Sequence, residues 1–270
     1  MNKILTFFLA CFTFVFYNCK AQIEDPIPDY QTINLDSKIL GEQRVVNVWL
    51  PSDYETSKDS LTVLYMLDGG IQEDFPHVAN TLNELISSKK IKPIILVGVE
   101  NIQRRKDLTP PTTVEKDKEI APIVGKSEDF RKFLKDELIP KINETYRTTS
   151  KKGIIGESLA GLFVTETLLI QPDLFDFYIA FDPSLWWNNS NYVKNVNNYL
   201  LKDYSTKKVF WFAGSKAKDI SVNTKNLVKS LENLQSKNLL WKYSDQKKET
   251  HQTIFRATKN EAIIWTLNNL

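Results

Sequence analysis

The sequence predicts an α/β fold: a mostly parallel central sheet of about eight strands with helices on both faces. Three observations carry this. From about residue 30 onward, short β-branched or aromatic runs alternate with amphipathic stretches, as βα units do. Most of the later runs are apolar along their whole length, as strands covered on both sides must be. After residue 21 there is no Pro/Gly/Ser linker, composition shift or internal repeat, so residues 22–270 read as one domain.

The elements follow in order. A first strand around Thr32–Lys38 pairs by hairpin with Val45–Leu50, since Gly41 supplies a turn. Further strands are Leu61–Leu67, Pro93–Val99, Gly153–Gly156, Phe177–Phe181, Lys208–Ala213 and Leu239–Tyr243. Between them Val78–Ser87 reads as a helix with Leu82, Leu85 and Ile86 on one side. Glu128–Leu138 places Phe130, Phe133 and Leu134 together behind Ser127 as a cap. Leu159–Leu169, Tyr192–Leu201, Thr224–Gln235 and Asn260–Asn268 complete the helices. Glu100 to Lys126 carries charges and prolines without periodicity, and an aperiodic loop that long is usually functional or mobile.

Composition narrows the function. The 270 residues are 42% hydrophobic and 25% charged, ordinary for a chain with a sizeable core. An aromatic content of 11% argues against disorder. Residues 1–21 read as an export signal: Lys3 gives a positive start, and Ile4 to Tyr17 is an apolar run too short to span a bilayer. Cleavage after Ala21 places small residues, Cys19 and Ala21, where signal peptidase requires them; the alternative exit is lipidation of Cys19, with bulky Phe16-Tyr17-Asn18 against it. A periplasmic or secreted protein is therefore expected, with a lipoprotein as the alternative. The formal charge is +2, and the leader's only charges are Lys3 and Lys20, so its removal leaves a neutral chain. Neutrality offers no electrostatic case for nucleic acid or for polybasic membrane binding.

Cys11 and Cys19, the only cysteines, both lie in the leader, which leaves the rest no disulfide, thiolate metal site or cysteine nucleophile. His77 and His251 are the only histidines, so a three-histidine metal centre is excluded and no HExxH pair exists. No metal and no organic cofactor is expected. Any imidazole proton shuttle must use one of these two residues.

Chemistry concentrates in Gly156-Glu157-Ser158-Leu159-Ala160-Gly161. A short apolar strand enters it and a helical pattern leaves it, the setting of a nucleophile elbow. Small neighbours permit the sharp turn that exposes the serine Oγ, and the Leu159 N–H at the helix start faces the developing oxyanion. Ala160 stands where the common G-x-S-x-G form has its last glycine. The bland reading is a strand–turn–helix whose serine only caps the helix.

The chain resembles the α/β-hydrolase group of putative esterases that includes esterase D-like and enterochelin esterase-like proteins. The resemblance rests on Leu40-Gly41-Glu42-Gln43-Arg44 with Val48-Trp49-Leu50-Pro51, on Leu64-Tyr65-Met66-Leu67-Asp68-Gly69, and on Asp74-Phe75-Pro76-His77. It continues through Arg105-Lys106-Asp107-Leu108-Thr109-Pro110, the serine elbow, Pro183-Ser184-Leu185-Trp186-Trp187-Asn188 and Glu249-Thr250-His251. It implies an α/β-hydrolase fold and a serine ester hydrolase, without specifying the substrate.

The hydrolase chain order is Ser, acid, His, so His251 is the expected base for Ser158. Gln252 replaces the glycine that commonly follows this histidine in relatives. Resemblance and chain order place the acid after the strand ending at Ala213, at Asp219, with Glu249, Asp245 and Asp182 as competitors and a Ser–His dyad as a further option. The second oxyanion donor belongs to the loop after Leu61–Leu67, where Asp68-Gly69-Gly70 fits; resemblance favours the Gly70 N–H, then Gly69.

Trp186 and Trp187 follow a strand end that faces the crevice, where they would stack on an aromatic or sugar-bearing ester or else pack in the core. Arg104 and Arg105, with Asp107, would bind an anionic or catecholate group, or form structural ion pairs. His77 would line the entrance, or bond backbone at its helix start. The expected function is hydrolysis of a small-molecule carboxylic ester through an acyl-serine. An acyltransferase, a non-catalytic exported binding module and a protease stay open as alternatives. A trilactone siderophore, an acetylated or feruloylated glycan and a small xenobiotic ester all fit this apparatus.

Overall fold

The structure, a computed structural model, describes residues 25–270 apart from 120, 122 and 202; the expected export signal, with Cys11 and Cys19, lies outside the described residues. The first two strands, β1 (Gln31–Ser37) and β2 (Glu42–Trp49), form an antiparallel hairpin across Gly41, whose φ of 69° is left-handed and whose surroundings are empty. Next come β3 (Leu61–Leu67), α1 (Phe75–Ser87) and β4 (Ile94–Val99). Short helices α2 (Arg104–Leu108) and α3 (Glu115–Glu119) lie in the aperiodic segment, which has more local structure than its composition suggests.

The helix expected near residue 128 is a longer rod. It runs from α4 (Ser127–Phe133) through a π-helical turn at Leu134–Leu138 into α5 (Ile139–Thr145), so Pro140 falls in the first turn of the last segment. Then follow β5 (Thr148–Glu157), α6 (Leu159–Ile170), β6 (Phe177–Phe181), α7 (Trp187–Lys194), β7 (Asp203–Ser215), α8 (Lys218–Leu234), β8 (Lys237–Gln246) and α9 (Ile254–Asn268). The helix expected at Tyr192–Leu201 is not formed. Instead α7 holds three left-handed residues, Asn188 to Ser190, and ends at Lys194, with a single 3₁₀ turn beyond it. Asparagine tolerates that conformation better than most residues, so this Asn-rich stretch folds as turns.

The strands form one eight-stranded sheet in the order β1-β2-β4-β3-β5-β6-β7-β8. Only the pairs involving β2 are antiparallel; from β4 to β8 every pairing is parallel. Side-chain alternation divides the interior into two cores. Val63, Tyr65, Ile154, Tyr178, Phe210 and Phe212 face α4, α5, α6 and α8. Leu64, Met66, Ile155, Ile179, Phe181 and Trp211 face α1 and α9. Each Leu or Phe so enclosed contributes about 1.5–3 kcal/mol of burial free energy, which explains why these strands are legible as continuous apolar runs. Their polar outer ends, Thr148–Lys152 and Asp203–Ser205, carry no such signature.

Gly69 shows how closely the sheet and the first crevice loop approach. A Cβ there would lie 2.3 Å from Gly98 Cα and 2.4 Å from Val99 N, both immovable backbone atoms. Gly69→Ala should therefore lower unfolding free energy by about 2 kcal/mol or more, as overpacking does. In the same urea titration Gly41→Asn, in an unobstructed left-handed turn, should cost less than about 1 kcal/mol.

Candidate active site

Ser158 sits between β5 and α6 at φ 60° and ψ −116°, the strained corner expected of an elbow. Small residues make the corner fit. A Cβ on Gly156 would meet Ala160 Cβ at 2.6 Å, and one on Gly161 would meet the Phe181 carbonyl oxygen at 2.9 Å. Ala160 is therefore accommodated because Gly156 opposite it is bare, while Gly161 supplies the close approach to the neighbouring strand. Backbone bonds hold the corner: Ser158 N–H donates to the Phe181 carbonyl at 3.0 Å, and Ser184 N–H to the Ser158 carbonyl at 2.9 Å.

His251, from the loop between β8 and α9, places Nε2 3.0 Å from Ser158 Oγ. Its Nδ1 lies 2.8 Å from Oδ2 of Asp182, the residue immediately after β6. Asp182 is fully buried and is held from behind by Ser215, whose N–H donates to Oδ1 at 2.5 Å and whose hydroxyl donates to Oδ2 at 2.7 Å. The carboxylate bonded to His251 is therefore Asp182, where Asp219 was expected. Asp219 lies on the exposed first turn of α8 and acts on His251 only as a weak, longer-range charge. The usable signal was an aspartate directly following an all-apolar strand, at the carboxyl edge where parallel sheets put ligand-facing groups. Of the other competitors, Asp245 lies near Lys225 and Lys247, and Glu249 accepts the Thr253 hydroxyl.

The bond to Asp182 raises the His251 pKa above its ordinary value against the opposing effect of burial, with smaller upward contributions from Glu157, Asp182 and Asp219 charge. Ser184 Oγ is 3.3 Å from Ser158 Oγ, a second hydroxyl beside the first. Leu159 opens α6, so its N–H has no intrahelical acceptor and is available at the corner. Gly70 differs from expectation: its N–H is engaged by Glu73 Oε2 at 2.7 Å. Asn101 in turn donates to Glu73 Oε1 at 2.6 Å and to Asp68 Oδ1 at 2.5 Å. Arg104 forks onto both Asp68 oxygens at 2.6 and 2.8 Å and reaches the Glu157 carbonyl at 3.2 Å.

Several of the other expected contacts are engaged within the fold. Trp187 is buried and donates from Nε1 to the Pro110 carbonyl at 2.9 Å, pinning the loop before α3. Trp186 is half-buried, its ring 6.0 Å from that of Trp187. Asp107 is buried against Arg44 at 2.6 Å. Arg105 is half-buried on α2. His77 is buried: Asp74 bonds its Nε2 at 3.0 Å, Lys259 donates to Nδ1 at 3.3 Å, and the Phe255 ring packs edge-on. Burial pulls its pKa down, and it staples α1 to α9 rather than lining an entrance. Among the described residues no group of three or more His, Cys, Asp or Glu is arranged to hold a metal ion.

Comparison with known proteins bears on the family and the fold. The profile of a family described as Putative esterase matches residues 37–267. The ferri-bacillibactin esterase BesA of Bacillus subtilis is 31% identical over 158 residues, 51% of this chain and 53% of that protein. The siderophore triacetylfusarinine C esterase of Aspergillus fumigatus is 26% identical over 180 residues, 61% of this chain and 59% of that protein. The matched stretches thus span just over half the length of these curated relatives. Among solved structures, an IroE-like serine hydrolase from Shewanella oneidensis superposes with a TM-score of 0.82 at 26% identity, over 89% of this chain and 81% of its own. The α/β-hydrolase-type architecture is shared with it.

Glu157 generates a prediction of its own. Burial, opposed by His251 and reinforced by Asp74, Asp182 and Asp68, pushes its carboxyl from 4.5 up to about 8. The folded chain therefore binds this proton more tightly than the unfolded chain, as it does the raised His251 proton. Stability from both is present at low pH and is lost as pH rises, for Glu157 between the unfolded value and about 8. Urea titrations across this window should show stability falling by up to about 1.4 kcal/mol per pH unit from Glu157 alone. Glu157→Gln should remove that part of the slope.

Proposed function

The chain belongs to the putative esterase family, and from that premise we propose that it is a serine carboxylic-ester hydrolase working through an acyl-serine. The observation that carries this is the continuous Ser158–His251–Asp182 hydrogen-bonded chain, with bonds of 3.0 and 2.8 Å. Ser158 Oγ attacks the ester carbonyl carbon as its proton passes to His251 Nε2. Asp182, kept in place by Ser215, accepts the Nδ1 proton's hydrogen bond and so holds the productive tautomer and stabilises the imidazolium.

The tetrahedral oxyanion is received by the Leu159 N–H, joined by the Gly70 N–H when the Glu73 carboxylate turns away from it. Collapse expels the alcohol, which takes the proton from His251. Water then attacks the acyl-serine with His251 again as base, releasing the acid and restoring Ser158. The curated relatives are named as siderophore esterases, which supports a small-molecule siderophore ester as the substrate class. Trp186 and Arg105 stay as proposed substrate contacts. Export of the chain, directed by residues 1–21, is part of the same proposal.

Purified protein should hydrolyse short p-nitrophenyl esters and be labelled at Ser158 by a fluorophosphonate. Ser158→Ala and His251→Ala should each lose a factor of about 10⁴ or more in kcat with folding intact. Wild-type turnover in either would end the assignment. Asp182→Asn should lose about 10³–10⁴ by allowing the wrong tautomer, whereas Asp219→Asn should turn over at close to the wild-type rate. Because only neutral His251 can act as base, kcat/KM should rise with pH through a midpoint above the ordinary histidine value of about 6.5. In Asp182→Asn that midpoint should move down.

A further inference from the structure

The proposed reaction makes no use of the Glu157 carboxyl. Glu157 ends β5 directly before the nucleophile and shares a sheet face with Ile155, so its side chain turns towards α1 and α9 and away from α6. There its Oε1 is buried, with no hydrogen-bond partner among the described residues. The charged groups that face it come from several elements: His251 before α9, Asp74 before α1, Asp182 after β6, Asp68 after β3 and Arg104 on α2.

The cations among these are already committed. Arg104 is forked onto Asp68, and His251 is bonded to Asp182. Asp74 bonds His77, whose burial favours the neutral imidazole. Glu157 thus has acidic neighbours and, among the described residues, no cation hydrogen-bonded to it, one position before the nucleophile. A buried polar atom without a partner is costly, and a ligand group that completes it recovers that cost.

We infer that Glu157 is a specificity-determining residue, which admits esters that are neutral or cationic next to the scissile bond and rejects those with an anionic group there. The inference rests on the esterase reading. In its neutral form Glu157 offers one O–H donor and an acceptor oxygen to a polar substrate group. Ionised, it adds a negative charge to an already acidic crevice and repels an anionic ester. Its carboxyl, pushed up to about 8, makes that change within the working range of a neutral-pH hydrolase.

The test uses three p-nitrophenyl esters with matched acyl chains ending in methyl, trimethylammonium or carboxylate. For wild type, kcat/KM should be lowest for the carboxylate chain. Its ratio to the methyl chain should fall a further tenfold or so between about pH 7 and about pH 9, as a full charge appears nearby. Over the same range the trimethylammonium ratio should rise. Glu157→Gln, which keeps the shape without the charge, should flatten both ratios; a merely structural role would not move them with pH. Should this variant fail to fold, the wild-type pH series decides alone. Ratios that stay constant with pH in wild type, with the methyl chain still hydrolysed, overturn the inference and leave the esterase reading standing. No hydrolysis of any chain, with Ser158 unlabelled by fluorophosphonate, overturns both.

Discussion

The parallel register of β5, β6 and β7 is the constraint from which the rest of the site follows. Glu157 pairs with Phe181, and Phe181 with Ala213, so the residues that leave these three strands emerge side by side. One step further along each chain stand Ser158 and Asp182, with Ser215 just beyond Ala213. Backbone hydrogen bonds stitch these exits together, from Ser158 to Phe181 and from Asp182 to Ala213. A slip of one residue in any pairing would turn the strand's side chains to the opposite face. The apolar cores on both sides of the sheet oppose such a slip, and the geometry around His251 inherits their rigidity.

Charge at the carboxyl edge is managed by pairing wherever pairing is available. Asp182 is enclosed by Ser215 and His251, and Asp68 by Arg104 and Asn101. Glu73 is satisfied by Asn101 and by the Gly70 amide, the group proposed above as an oxyanion donor. A carboxylate oxygen on that amide occupies the kind of position a developing alkoxide would take, which makes Glu73 a competitor for it. Glu157 Oε1 is the exception, with no partner among the described residues. Natural proteins leave such local inconsistencies chiefly at functional sites.

Much of this was legible in the chain itself, for identifiable reasons. The strands were readable where they are buried on both faces, and their polar outer ends were not. Ser158 and Leu159 were recognisable because a sharp strand-to-helix corner demands small residues at fixed offsets. His251 was recognisable by elimination, since only two histidines exist and one precedes the serine. Trp187, Arg104 and Asp107 were ambiguous between ligand contacts and scaffold. Nothing in local sequence says whether a loop indole finds the Pro110 carbonyl, or a guanidinium finds a carboxylate more than thirty residues away.

The sequence by itself determined the fold class, the elbow serine and the imidazole that lies beside it. These depend on hydrophobic periodicity, on glycine spacing and on the scarcity of one residue type, all properties written along the chain. Only the tertiary structure decided that Asp182 and not Asp219 meets His251, that Glu73 occupies the Gly70 amide, and that Glu157 Oε1 has no partner among the described residues. Those outcomes depend on which strand end lies next to which loop. Ionic and hydrogen-bonded partners at long separation are selected by the packed sheet, whose register no local pattern encodes.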